Sequence, residues 1–358
     1  MSRTSSASEF TVHTTQDYFE TLTKQISEAR SGSRVIVMSM NFSPTELPVA
    51  ELVAQLKIAA KKGANVKLII DAHDFIVGEK LSLGPLFWRN KLSSNLKGEF
   101  GYKMTILDEL KKVGVECAVI NLPLQRFSLP VANRSHIKIG LVNDQVFIGG
   151  CNLSRTDSTD IMVGINDSAF ATQIYELVNE ITSSGNCLLA MDSKDKKLSI
   201  NADTELMINA GIKNESLIMD NALRLIDEAE KSIFITCQYY PYGVTAKHLK
   251  AAYKRGVDVS VVYNNPLNHG FPRYLLQWPV ALLQSLTMPR SFYKGKTLKG
   301  TNFVHAKLLV TEKASIIGSH NFVEVGVKLG TAEIALLSTN LEFGKQLIET
   351  LSGQLTNN

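Results

Sequence analysis

Apolar and polar positions alternate along this chain in two matching rounds. Tyr18 to Arg30 carries apolar residues at helical spacing and leads into an apolar strand from Arg34 to Met40 (RVIVMSM). Leu217 to Lys231 has the same spacing and leads into Ser232 to Cys237 (SIFITC). Each round continues with the end of an amphipathic helix, a glycine that stops it and a second buried strand. These segments, Leu56 to Ile70 (LKIAAKKGANVKLII) and Leu249 to Tyr263 (LKAAYKRGVDVSVVY), align without a gap at an offset of 193. A third block closes each round: HIKIGLVNDQVFIGGCN from His136 and HAKLLVTEKASIIGSHN from His305. Both run His, any residue, Lys, apolar strand, polar turn, apolar strand, a small pair and Asn, with Asn 16 residues after His.

Helix followed by β-branched strand, repeated, predicts two α/β halves, each with a mixed or parallel sheet flanked by helices. The boundary is expected in the polar stretch Asp192 to Asn201, giving halves over 10–191 and 202–355. With 44% hydrophobic residues, the 358-residue chain has enough apolar material for a core in each half.

A net charge of +4 is too small to separate a nucleic-acid partner from an anionic membrane surface. Cys117, Cys151, Cys187 and Cys237 form no CxxC pair, so a zinc site is not expected, and no cofactor is called for. Three of the four lie within or beside apolar runs and read as small buried thiols, which fits a reducing compartment. The polar opening MSRTSSASEF lacks the apolar core of a signal peptide. No apolar run reaches the ~18 residues of a membrane span. A cytoplasmic protein, soluble or peripherally membrane-associated, is expected.

A duplicated scaffold has no structural reason to repeat His, Lys and Asn at one spacing. His136 and Lys138 are two apart, which on a strand puts both on one face, and His305 and Lys307 repeat this. Asn152 and Asn321 follow the next strand and can return to the same end of the sheet. Related by a pseudo-twofold axis, two His, two Lys and two Asn would surround one small volume suited to a phosphate. Lysines supply charge and Asn supplies N–H donors. One neutral imidazole can attack phosphorus while the other, protonated, donates to the leaving oxygen. The lysines neutralise the phosphoryl oxygens, so no metal is required.

The segments NRSHIKIGLVNDQVFIGGCNLS and NFVHAKLLVTEKASIIGSHNF resemble the phospholipase D superfamily, marked by HxK(x)4D and a GSxN-like segment, usually twice. The resemblance covers nearly the whole chain. It implies pseudo-twofold-related halves of phospholipase D type and a phosphohistidine at one motif histidine. The usual family assignment makes His136 the nucleophile and His305 the general acid. Lys138, Lys307, Asn152 and Asn321 carry over as phosphate binders, with Gly150 and Ser319 as the matching small residues. Asn143 and Glu312 occupy the family's Asp positions. Asn143-Asp144 is itself a good turn pair, so that position reads as turn-stabilising.

Two acids open apolar strands in the same order: Asp160, 24 residues after His136, and Glu333, 28 residues after His305. A carboxylate on the second ring nitrogen fixes a histidine's tautomer, and family members use an acid in this region for that purpose.

The motifs fix the bond type and leave the substrate open. Equivalent insertions follow the second strand of each half. One holds Phe87 and Trp88 near Arg89 and Lys91; the other holds Tyr274 and Trp278 near Arg273, Arg290 and Lys294. Aromatic and aliphatic residues with basic flanks suit a rim that dips into an anionic bilayer. The tail SHNFVEVGVKLGTAEIAL is similar to bacterial phosphatidyltransferase-like members, including cardiolipin synthases. The expected substrate is therefore a phospholipid head group, hydrolysed or exchanged. A nuclease with the same chemistry ranks second, and a catalytically silent lipid- or nucleic-acid-binding protein third. The oligomeric state is left open.

Overall fold

A computed structural model describes residues 9–77, 99–122, 132–154, 157–185, 195–238, 241–264 and 303–356. The first half contains strands β1 (Glu9–Thr14), β2 (Arg34–Ser39), β3 (Asn65–Asp71), β4 (Glu116–Ile120), β5 (Ile139–Val142), β6 (Gln145–Gly149) and β7 (Ile161–Asn166). Its helices are α1 (Thr15–Ser27), α2 (Leu47–Lys61), α3 (His73–Val77), α4 (Glu99–Lys112) and α5 (Ser168–Ser184). The second half contains β8 (Lys196–Ser199), β9 (Thr204–Asn209), β10 (Ser232–Cys237), β11 (Asp258–Tyr263), β12 (Leu308–Thr311), β13 (Ser315–Gly318) and β14 (Glu333–Ser338). Helices α6 (Leu217–Glu228), α7 (Gly243–Lys254), α8 (Glu324–Leu329) and α9 (Leu341–Thr356) accompany them.

The two sheets repeat one topology. The first runs β1-β7-β6-β5-β2-β3-β4 and the second β11-β10-β12-β13-β14-β9-β8. In each, a parallel pair (β2 with β3, β10 with β11) continues into antiparallel strands, and in the first sheet β4 adds a second parallel pairing, to β3. Six strands correspond; β4 and β8 are additions at opposite edges. β8 lies inside the polar stretch expected to separate the halves, so the second sheet begins before residue 202.

Local chemistry accounts for the repeated turns. Thr14 and Asp17 form a capping box that starts α1, whose buried face is Tyr18, Phe19, Leu22 and Ile26. Gly63 and Gly256, at φ +88° and +93°, end the matching helices α2 and α7 before the strands β3 and β11. The first hairpin turns on Asn143-Asp144, with Asn143 at φ +55°. Asn143 Oδ1 accepts from the Arg34 N–H at the start of β2 (3.2 Å). Glu312 accepts from the Glu230 and Ser232 N–H groups at the start of β10 (2.7 and 3.1 Å). Both side chains therefore tie the hairpin to its neighbouring strand at the end of the sheet away from the motif histidine.

One apolar core joins the halves. It takes Ile137, Ile139 and Ile148 from the first half and Leu206, Leu308, Ile317 and Ile334 from the second, with α5 and α9 filling the space beside them. Helix α9 packs against β1 and β7 as well as β12, β13 and β14, and Phe343 meets Phe10 with ring centroids 5.4 Å apart. The motif segments sit where this shared core brings the sheets together. Among the described residues, no helix is long and apolar enough to cross a membrane.

Candidate active site

Each motif histidine lies just ahead of its strand, in a lead-in that crosses to the other half. Ser135 forms an isolated parallel bridge with Ala332, and Val304 forms one with Thr159. The His136 N–H donates to the Ala332 carbonyl (2.8 Å), and the Ala332 N–H donates to the Arg134 carbonyl (2.8 Å). The His305 N–H donates to the Thr159 carbonyl (2.9 Å), and the Thr159 N–H to the Phe303 carbonyl (2.9 Å). Ala332 precedes Glu333 and Thr159 precedes Asp160, so each bridge aligns a histidine with the acid of the opposite half.

The side chains follow. His305 Nδ1 lies 2.6 Å from Asp160 Oδ2, and His136 Nδ1 lies 3.1 Å from Glu333 Oε2. The backbone of Asp160 is itself held by the second half, accepting from Gln354 Nε2 at 3.1 Å. Burial would lift both carboxyls, but their histidine partners hold Asp160 below the usual range and bring Glu333 down to about 2. Burial lowers both imidazoles, to about 3 for His305. The resting pairs are therefore neutral imidazoles donating through Nδ1 to carboxylates, with Nε2 carrying the lone pair.

Lys138 and Lys307 are fully buried and fold back to donate to the carbonyls of His136 (2.7 Å) and His305, their own partners two residues earlier. The sequence pattern put His and Lys together on one strand face. In the structure β5 and β12 begin only at Ile139 and Leu308, because the lead-in bridges to the other half instead of its own sheet. Burial depresses Lys138 to about 7 and Lys307 to about 8. Charges from both halves act on each member: Lys307 lowers His136, and Lys138 lowers His305. The four basic side chains and two acids thus form one electrostatic cluster.

The small residues of the motif stand against the acids. A Cβ at Gly150 would come within 2.8 Å of Asp160 Cγ, closer than real Cβ contacts allow. Ser319 Oγ donates to Glu333 and accepts from the Ile334 N–H at 3.1 Å. Asn152 is buried, with Oδ1 accepting from Ser39 Oγ at 3.4 Å, and Asn321 Oδ1 is buried without a partner among the described residues. Asn143, Asp144 and Glu312 lie at the hairpin turns, outside this cluster. Phe87, Trp88, Tyr274 and Trp278 lie outside the described residues.

Sequence reasoning passed over several neighbours. Ser39 ends β2 and binds both Asn152 and the Leu153 N–H (3.0 Å). His320 is buried beside the acid, its Nδ1 accepting from the Phe322 N–H at 3.0 Å. Asp71 and Asn264 had a legible signal: both occupy the position after the gap-free repeat, and both are polar at the end of a buried strand. Among the described residues, no group of three or more His, Cys, Asp or Glu side chains is arranged to hold a metal ion.

A family model described as "Cardiolipin synthase, PLD-like domain" matches residues 22–182 and 222–354, most of both halves. No curated protein matches at the level of sequence. The phosphatidylserine synthase of Haemophilus influenzae Rd KW20 superposes with a TM-score of 0.70 over 99% of this chain and 87% of that one, at 12% identity. The polyphosphate kinase of Porphyromonas gingivalis superposes with a TM-score of 0.57 over 97% of this chain and 50% of that one, also at 12% identity. At such identity the likeness is one of fold.

Proposed function

The chain belongs to the family of cardiolipin synthase, PLD-like domains, and from that premise we propose that it hydrolyses or transfers the phosphatidyl group of a phospholipid through a phosphohistidine, without a metal ion. The observation that carries the reading is the pair of crosswise histidine–carboxylate contacts, each completed by the opposite half and backed by a buried lysine. A phospholipid substrate is supported by the family's description and by the name of the phosphatidylserine synthase whose fold this chain shares.

In the proposed reaction His136 Nε2 attacks phosphorus. The N–P bond forms, the bond to the departing alcohol breaks, and that oxygen takes its electron pair and a proton from His305. His305, now neutral, accepts a proton from water or an incoming alcohol, whose oxygen displaces His136 as the N–P bond breaks; the proton that His305 took from solvent when the diester bound returns to solvent as the product leaves. The two pairs suit these different roles. Glu333 shares its charge between His136 and Ser319, which leaves His136 a neutral nucleophile. Asp160 makes the shorter contact with His305 and is better placed to steady an imidazolium. Burial opposes that imidazolium in the empty site, and the negative diester supplies the remaining favourable charge. Lys138 and Lys307, with the Asn152 and Asn321 amides, offset the charge on the phosphoryl oxygens.

The insertions bearing Phe87, Trp88, Tyr274 and Trp278 are proposed as the rim that meets an anionic membrane surface. The test is turnover by purified protein of phosphatidylglycerol, phosphatidylcholine and single-stranded DNA, each with EDTA. Head-group release or exchange in EDTA is expected. Cleavage confined to DNA would make the protein a nuclease with the same chemistry. Lipid binding without turnover would make it a silent binding protein, and loss of activity in EDTA would contradict metal independence.

A further inference from the structure

The residue before each motif histidine is gripped from two sides, and one grip uses polar side chains that the proposed chemistry does not employ. Asp71, at the end of β3, is buried. Its Oδ1 accepts from the His73 N–H (2.7 Å) and faces Arg134 Nη1 at 3.6 Å. Its Oδ2 accepts from Asn121 Nδ2 and from the Ser135 N–H, both at 2.7 Å. Arg134 Nη1 also donates to the Asn121 carbonyl (2.8 Å), which closes the network. Asn264 occupies the equivalent position after β11 and is likewise buried. Its Oδ1 accepts from the Val304 N–H (2.7 Å) and its Nδ2 donates to the Val304 carbonyl (2.5 Å).

The residue types match what each position meets. Asp71 faces donors only, so an acceptor-only carboxylate fits. Asn264 faces the N–H and C=O of one residue, Val304, together, which a side-chain amide complements. Both anchors hold the residue that makes the bridge to the opposite half, Ser135 to Ala332 and Val304 to Thr159. The path from anchor to acid is continuous in each half. Asp71 holds Ser135, His136 follows and donates to Ala332, and Glu333 then meets the His136 ring. Asn264 holds Val304, His305 follows and donates to Thr159, and Asp160 then meets the His305 ring.

The geometry points to Asp71 and Asn264 as positioning residues, each locking the peptide before one motif histidine so that its ring meets the acid of the other half. Asp71 serves His136 and Asn264 serves His305. The consequence for turnover rests on the phosphohistidine reading; the positioning itself does not. A role confined to closing the strand end would perturb both histidines together or neither.

The experiment compares Asp71→Ala and Asn264→Ala in the full chain by nitrogen-15 histidine NMR. It reads the Nδ1–H signals of the two carboxylate-bound rings, assigned with His136→Ala and His305→Ala. Asp71→Ala is expected to shift or remove the His136 signal and leave that of His305, and Asn264→Ala to do the reverse. With a soluble phosphodiester, kcat should fall at least about tenfold in each variant while KM changes little, since misplacing a reacting group by an ångström costs about 100-fold. Both signals unchanged, or both lost together in a folded variant, would overturn the assignment. If Asp71→Ala does not fold, having left Arg134 buried without its carboxylate, Asn264→Ala removes no charge and decides alone. Selective shifts in a protein whose wild type turns over no diester would leave the positioning intact and defeat the phosphohistidine reading.

Discussion

Asp160, from the first half of the chain, lies 2.6 Å from Nδ1 of His305 in the second half. Glu333 returns the arrangement to His136. Among the described residues, neither motif histidine meets an acid of its own half, so the proposed chemistry depends on the shared core that fixes the two sheets together.

This crosswise pairing makes the acids indispensable. In Asp160→Asn the amide can turn an N–H2 group toward His305 Nδ1 and favour the wrong tautomer. The expected loss in kcat is about 100-fold or more, by analogy with the acid of a Ser-His-Asp triad. Glu333→Gln is expected to behave alike through His136. Steady-state kinetics with a soluble phosphodiester, on variants shown folded by circular dichroism, checks both. Wild-type kcat in either would mean that the contacts are structural only.

Gly150→Ala tests the close approach behind Asp160. The added methyl has no room beside the carboxylate and must push it off His305. An activity loss of about tenfold or more is expected, because displacing the carboxylate misplaces the reacting imidazole. Gly114→Ala, in open space but at φ +95°, provides a control in which strain affects stability alone. Equal effects of the two on activity, at equal melting temperature, would contradict this account of Gly150.

The buried lysines give two opposite pH trends. Lys138 and Lys307 titrate at about 7 and about 8 in the folded, empty site, against 10.5 when unfolded. As pH rises through these values the folded site loses its ammonium charges, so a diester of constant charge such as dimethyl phosphate should bind more weakly. Calorimetry from pH 6 to 9 is expected to show affinity falling toward about tenfold per pH unit once a required lysine deprotonates. Over the same window the unfolded chain holds protons that the folded chain has released. The contribution of these lysines to stability therefore rises with pH, and is lost again as pH falls through the folded values. Lys138→Met should flatten both trends; a variant that keeps the wild-type slopes would contradict the assignment.

Much of this architecture was legible in the sequence, because the signals were local and written twice. The gap-free match of Leu56 to Ile70 with Leu249 to Tyr263 marks α2–β3 and α7–β11, and the strand Ser232 to Cys237 coincides with β10. The Asn143-Asp144 turn was readable because a two-residue hairpin needs positive φ, which Asn tolerates. The crosswise contacts were not readable. Hydrophobic period tells which face of a strand is buried but not which segment crosses from the other half. Strand β8 was missed for a related reason: Lys196 to Ser199 is polar and sits at an edge, where one face needs no apolar cover.

The rim residues supply a separable prediction. Replacing Phe87, Trp88, Tyr274 and Trp278 with polar residues should remove about 1.5–3 kcal/mol of anchoring per side chain that is fully buried in lipid. Sedimentation with phosphatidylglycerol vesicles should show binding reduced steeply, while hydrolysis of a short-chain soluble diester stays near wild type. Joint loss of folding and both activities would assign these side chains to the core. Persistent vesicle binding by a folded variant would refute the rim and strengthen the nuclease reading.

The most direct test of the central claim uses His305→Ala with a p-nitrophenyl phosphodiester. Nitrophenolate leaves without a proton, so His136 can still form its N–P bond, but no base remains to activate water for the second step. The expected result is a burst of nitrophenolate near one equivalent and a covalent adduct that mass spectrometry maps to His136, labile in acid and stable in base. Nitrophenolate release without an adduct, or an adduct on any other residue, would contradict the phosphohistidine account.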